Sequence, residues 1–91
     1  MTGRKRVAWN LRRLRVQRDL SQEALATDAG VDRSYVGRLE RAVENPTVDL
    51  LDRLASALDD DISEFFRPPR SGESAPKPLR GGRKANASRN R

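Results

Sequence analysis

From Val7 to Phe66 the apolar side chains return every third or fourth residue, and no stretch alternates apolar with polar. Spacings of three and four keep a stripe on one face of a helix, whereas a half-buried strand needs a period of two. The pattern predicts an all-α fold built from short helices. Val7, Leu11 and Leu14 form the first stripe, with Trp9 partly buried beside it and Arg12, Arg13 and Arg18 on the solvated side, in a helix that ends near Asp19. Leu20 packs in the connection. Ser21 then offers a hydroxyl to the free N–H groups of a second helix, Glu23 suits the positive end of its dipole, and Leu25, Ala26 and Ala29 face inward. Gly30 closes that helix, because glycine adopts a left-handed backbone at little cost.

The joint to the next helix is very short. Asp32 caps a third helix whose Val36 and Leu39 form an i, i+3 pair. Asn45-Pro46 breaks the chain, Thr47 caps a fourth helix, and Leu50, Leu51, Leu54, Ala55 and Leu58 give that helix the clearest stripe of all. Asp61 with Glu64 three residues on has the spacing of a capping box, starting a short fifth helix that holds Ile62, Phe65 and Phe66 before Pro68 and Pro69 stop it. Residues 1–66 read as one compact five-helix domain.

Residues 67–91 have a different character, with four prolines, three glycines, three serines and Leu79 as the one sizeable apolar side chain. Burial there is too small to offset the entropy of ordering a backbone, so a disordered basic tail is expected. The sign of the charge changes twice along the chain. Residues 1–41 hold ten Lys/Arg against five Asp/Glu, residues 42–66 one against seven, and residues 67–91 eight against one, for a net charge of +6. Such a polar molecule suits a polyanionic partner met by one face and not by the other.

Histidine and cysteine are both absent, which removes imidazole and thiolate nucleophiles, the usual zinc ligands and disulfides, and argues against an enzyme. No apolar run approaches the roughly 18 residues of a membrane span, and the basic N-terminus is not followed by the apolar core of a secretory signal. A cytoplasmic, nucleoid-associated location is expected, with no cofactor and no readable pocket for a small effector. Asp59-Asp60-Asp61 is not a metal site on this reading, since adjacent carboxylates converge poorly on one ion and helix capping accounts for Asp61.

The segment Gln22 to Arg41, QEALATDAGVDRSYVGRLER, carries the strongest signal. Small Ala26 lets two helices cross closely, Gly30 makes the bend, and Val31, Val36 and Leu39 lock the angle, which is a helix-turn-helix over about 21–41. With LRRLR at 11–15, LSQEALA at 20–26, SYVGRLER at 34–41, NPT at 45–47 and LLDRLASAL at 50–58, the chain from about Asn10 to Phe66 resembles the Cro/CI-like, or XRE-type, regulators. The resemblance implies a lambda-repressor-like DNA-binding domain that lays its third helix in the major groove of double-stranded DNA, commonly as a homodimer.

Carried onto these positions, the resemblance makes Arg33, Ser34 and Arg38 readers of base edges, and both arginines have the chemistry to grip guanine O6 and N7 with two N–H groups. Gln22 falls at a position that contacts phosphate or a base edge, Tyr35 at one that touches the phosphate backbone or packs beside it, and Arg41 and Asn45 at phosphate-contacting positions. Arg15 and Glu40 match a structural ion pair between the first and third helices and are left out of the reading set. Four places depart from the pattern: Gly37 stands in mid helix where a polar residue is usual, Ala42 where glycine often closes the third helix, Val43-Glu44 where basic residues are frequent, and Asp19 and Asp59 at other glycine positions. A changed path is expected for the loop at 42–45.

Other charged residues have plainer readings. Arg12, Arg13, Arg18 and Arg53 are taken as solvated helix faces, and Arg4-Lys5-Arg6 as either an arm along the backbone or a frayed terminus. Phe65 and Phe66 are neighbours about 100° apart on a helix, so one of them is expected at the surface, where with Ile62 it forms a self-association patch. The function implied is a sequence-specific transcriptional regulator acting as a dimeric repressor or autoregulator. The alternative is an antitoxin-type or restriction-modification controller protein whose main partner is another protein. The tail is read as a solvated terminus that also grips phosphate. Deleting residues 67–91 should then weaken binding to all DNA alike and flatten its salt dependence, because up to eight cations no longer displace counterions. An unchanged slope of log K against log salt would make the segment inert.

Overall fold

A computed structural model describes residues 1–69. The greater part of the segment read as a tail, from residue 70 on, lies outside the described residues. Four α-helices follow one another, α1 (Gly3–Gln17), α2 (Gln22–Ala29), α3 (Arg33–Glu40) and α4 (Val48–Leu58), and a 3₁₀ helix, Ile62–Phe66, completes the fold. Their inner faces meet in one core of Leu11, Leu14, Leu25, Val36, Leu39, Leu54, Leu58 and Phe65, each at most 2% exposed. Helix α2 packs on α3 and α4, while α1 packs on α3 and the 3₁₀ helix.

Each helix start is satisfied by the side chain that the sequence places there. Ser21 accepts from the Ala24 N–H at 3.0 Å, Asp32 from Ser34 at 3.1 Å, Thr47 from Leu50 at 3.0 Å and Asp61 from Ser63 at 2.9 Å. Helix α1 starts earlier than its apolar stripe, at a cap on Thr2, so Arg4, Lys5 and Arg6 are helical rather than an arm or a frayed end. Trp9 is half-buried.

All four α-helices end in the same way. At Asp19, Gly30, Ala42 and Asp59 the backbone turns left-handed, with φ of 58°, 71°, 61° and 57°. At each, that residue's N–H and the next one's reach back into the last turn: Gly30 to Thr27 at 3.2 Å and Val31 to Ala26 at 3.0 Å, Ala42 to Leu39 at 3.0 Å and Val43 to Arg38 at 3.2 Å. Asp19-Leu20 and Asp59-Asp60 repeat the pattern on Val16 and Arg15, and on Ser56 and Ala55. This double return satisfies carbonyls that a helix end leaves open. The loop after α3 therefore follows the path of a glycine-ended helix although alanine stands there, contrary to the expectation of a changed course. Hydrogen bonding to two carbonyls holds a conformation that a Cβ disfavours.

All four arginines read as solvated, Arg12, Arg13, Arg18 and Arg53, are bonded within the fold instead, Arg12 to the Glu40 carboxylate at 3.3 Å. Arg13 is buried, donates through Nε to Asn10 Oδ1 at 3.0 Å and through Nη2 to the Glu64 carbonyl at 3.2 Å and carboxylate at 3.1 Å, and its guanidinium lies 6.0 Å from the Trp9 ring centre. Arg18 donates to the Leu58 carbonyl and pairs with Asp60 at 2.7 Å. Arg53 donates to the Gly30 carbonyl at 2.6 Å. The last two close helix ends, where carbonyls attract cations. Asp59, Asp60 and Asp61 have separate duties as helix end, ion-pair partner and cap.

The fifth helix is a 3₁₀ helix, not an α-helix. With three residues per turn, Ile62 and Phe65 line up on one side and Phe66 turns away. Phe65 is completely buried and Phe66 is 46% exposed, so Phe65 belongs to the core and not to a self-association patch, which is left to Ile62 and Phe66. Glu64 turns its carboxylate to Arg13 instead of completing a capping box. Asn10, fully buried, anchors this last turn by donating to the Phe65 and Arg67 carbonyls at 2.9 and 2.8 Å.

Replacing Ala42 by glycine should remove the Cβ penalty at a φ of 61°. After the greater freedom of glycine in the unfolded chain is set against it, a gain of about 0.5–1 kcal/mol is expected. Thermal unfolding should show a melting temperature raised by several degrees; a lowered one would mean that the alanine methyl packs to more effect than its backbone costs.

Candidate nucleic-acid interface

The turn at Gly30 sets two eight-residue helices, α2 and α3, against each other, with Val36 and Leu39 buried beneath α3 and Arg33, Ser34 and Arg38 on its outer side. Gln22, Glu23, Arg33, Ser34, Gly37, Arg38 and Arg41 together line one shallow depression across both helices. The structure thus brings the three base-reading candidates, Gln22 and Arg41 onto one surface. Tyr35 and Asn45 lie outside it, lining a second depression with Val31, Thr47, Leu50 and Arg53.

What fixes this surface is the carboxylate of Glu40, the last residue of α3, whose side chain has no exposure at all. Arg15 of α1 grips it with two N–H groups, Nε at 2.6 Å and Nη2 at 2.9 Å, and Arg12 adds a third at 3.3 Å. Gln22 of α2 donates to it at 3.1 Å. The ion pair of Arg15 and Glu40 is present, and it has two further donors that the sequence did not announce. Arg15 also holds the Leu20 carbonyl at 2.8 Å, so the connection from α1 to α2 hangs on the same guanidinium.

Gly37 is explained by the same cluster. A Cβ there would meet Gln22 Oε1 at 3.3 Å and Arg41 Nη1 at 3.5 Å. Glycine in mid helix costs about 1 kcal/mol of propensity, but here it makes room for the Gln22 side chain on its way to Glu40. Gln22 is therefore engaged inward through its amide nitrogen as well as standing at the edge of the outer surface.

On the outer surface a chain of hydrogen bonds runs along α3. The Ser34 hydroxyl donates to Asp32 and accepts from Arg38 Nη1 at 2.8 Å, and Arg38 Nε donates to Glu44 Oε2 at 2.7 Å. The Arg38 guanidinium also lies 5.4 Å from the centre of the Tyr35 ring, within cation–π range. The charges respond accordingly. The Ser34 hydroxyl and N–H, both donating, hold the Asp32 carboxyl below the ordinary aspartate value. The hydrogen bond to Glu44 raises Arg38 still further above its ordinary value. Burial, assisted by the Glu44 charge, raises the Tyr35 phenol. Asp32 and Glu44 were not among the sequence candidates. Asp32 was visible as a cap, and a carboxylate two residues before Ser34 is within local reach; Glu44 lies beyond the turn at Ala42, whose path the residue types did not reveal.

A short turn joining two helices, the second basic on its outer face, defines a helix-turn-helix unit. Residues 11–65 match the Helix-turn-helix family, and the chain belongs to it, as a member of the XRE type. A hypothetical transcription factor of Neisseria meningitidis serogroup B is 36% identical over 69% of this chain and 59% of its own length. The transcriptional regulator SutR of Escherichia coli (strain K12) is 39% identical over 67% of this chain and 34% of its own length. This chain thus spans between about a third and three fifths of those two relatives. Among solved structures, the restriction-modification controller protein C.AhdI from Aeromonas hydrophila superposes with a TM-score of 0.67 at 43% identity, covering 69% of this chain and 91% of that one.

Glu40→Ala should be the most damaging single truncation at this site. It leaves Arg15, 4% exposed, without a counter-ion, and removing one partner of a buried pair costs about 3–5 kcal/mol. Truncating half-exposed Glu64 to alanine leaves Arg13 its bonds to Asn10 Oδ1 and to the Glu64 carbonyl and should cost less, about 1–2 kcal/mol. Chemical denaturation of the two variants distinguishes them, and equal losses would show that water replaces the Glu40 carboxylate without penalty.

Proposed function

We propose that this protein is a sequence-specific, double-stranded-DNA-binding transcriptional regulator that reads the major groove with α3 as a homodimer. The observation that carries this reading is the outer surface of the helix-turn-helix, where Arg33, Ser34 and Arg38 stand side by side with Arg41 and Gln22. Arg33 lies in the first turn of α3 and Arg38 about one turn later, a spacing that lets both reach successive base edges. Gln22, Tyr35, Arg41 and Asn45 would position the domain on phosphates, and residues 1–66 would be the unit that binds. Ile62 and Phe66 supply the accessible apolar surface for a two-fold contact between copies. A regulator that binds genomic DNA would work in the cytoplasm, where that DNA is.

Selecting bound sequences from a random DNA pool with the full chain, and measuring its mass in solution at the same concentration, tests the proposal. An inverted repeat with half-sites about one helical turn apart, bound by a dimer, is the expected result. Salt-sensitive binding with no preferred sequence would overturn it and direct attention to a protein partner.

A further inference from the structure

We infer that Glu44 is a positioning residue for Arg38: it fixes how that guanidinium faces the base edge and so contributes to sequence discrimination without touching DNA. The inference rests on the reading of Arg38 as a base reader and adds to it the group that aims it. A carboxylate beside a phosphate-binding surface is at first sight a defect, since it repels the ligand. Here its charge is met by Arg38 Nε at 2.7 Å.

The geometry leaves the right groups free. A guanidinium has five N–H donors. Glu44 takes the one on Nε and Ser34 takes one on Nη1, so both N–H groups of Nη2 and one of Nη1 remain for a ligand. Guanine O6 and N7 need two of them. Tyr35 covers one face of the guanidinium, and Asp32 accepts the Ser34 proton, which turns the serine oxygen's lone pairs toward Arg38. The side chain is thus held by a carboxylate, a hydroxyl and a ring before any DNA arrives. The Arg33 side chain makes no hydrogen bond or ion pair among the described residues, so it lacks the fixed partners that Arg38 has. A long side chain that is already ordered loses less freedom on binding, and it loses still more affinity for a base that cannot use its fixed donors.

Glu44 as a mere repelling charge and Glu44 as a positioning residue predict different things. Random-pool selection and affinity on selected against random DNA are compared for the full-length chain, Glu44→Ala, Glu44→Gln, Arg38→Ala and the double variant Glu44→Ala with Arg38→Ala, each checked for an unchanged thermal transition. Glu44→Ala should bind random DNA at least as tightly as the parent. It should lose about tenfold in the ratio of selected to random affinity, at the base positions that Arg38→Ala also relaxes, a part of the discrimination that a two-donor contact supplies. Glu44→Gln keeps an acceptor for Nε and should retain most of the ratio, which also covers the case of Glu44→Ala failing to fold. In the Arg38→Ala background, removing Glu44 should leave the ratio unchanged.

A uniform rise in affinity with the ratio intact in Glu44→Ala would reduce the residue to a repelling charge and overturn the inference alone. So would a raised ratio, which would mean that Glu44 withholds Arg38 from DNA. Base preferences that survive Arg38→Ala, or a parent chain with none, would overturn the reading of Arg38 and the inference together.

Discussion

The outer surface of α3 faces where it does because of one carboxylate that water never reaches. A fully buried charge is tolerated only when several donors replace its hydration, and Glu40 has Arg15, Arg12 and Gln22. Those donors come from two different helices, so satisfying the charge fixes α3 relative to both α1 and α2 in a way that non-directional apolar contacts would not. Gly37 fits beside it, since a Cβ there would lie 3.3 Å from Gln22 Oε1 and require that amide to give by a few tenths of an ångström. The cost of the buried pair is then the condition for a definite angle between the helices.

The second constraint is brevity. Helices α2 and α3 have eight residues each, too few to persist alone in water. Both ends of every α-helix are consequently tied: a side-chain cap in front, a left-handed reversal behind, and at α2 and α4 an arginine from elsewhere in the chain on the terminal carbonyls. Only one of the four reversals uses glycine. Aspartate, which stands at two others, enters the left-handed region more readily than most residues, and Ala42 is the position where the geometry is held most against the preference of its residue.

Most of this architecture was legible in the sequence. Ser21, Asp32, Thr47 and Asp61 are residues whose side chains accept from nearby N–H groups whatever lies beyond, and Gly30 states its own backbone angle, so the starts of α2, α3, α4 and the last turn could be read locally. The arginines could not. Position off the apolar stripe shows only that a side chain leaves the core at its Cα, and a chain as long as that of Arg13 or Arg18 reaches carbonyls in another part of the fold. The 3₁₀ form of the last turn was hidden for a similar reason: five residues ahead of two prolines fit either helix, and the packing of Phe65 on α1 decides. The same distinction runs through the candidate site. Periodicity puts Arg33, Ser34 and Arg38 on one face, but what each is bonded to depends on tertiary neighbours.

Ala42 and Glu44 show how a backbone detail reaches the chemistry of the surface. The left-handed turn at Ala42 sends the Val43 N–H back to the Arg38 carbonyl at 3.2 Å, and that return brings the next residue alongside the Arg38 side chain. An extended exit from α3 would carry Glu44 away from the helix. The departures from the family pattern at 42 and 44, which look independent along the sequence, are coupled in space: the first delivers the second. A residue chosen against its backbone preference and an acid on a basic surface are each unfavourable when taken singly. Together they enclose Arg38 between a carboxylate, a hydroxyl and an aromatic ring, and the outer face of α3 acquires a fixed donor pattern from a side chain type that is otherwise among the most mobile.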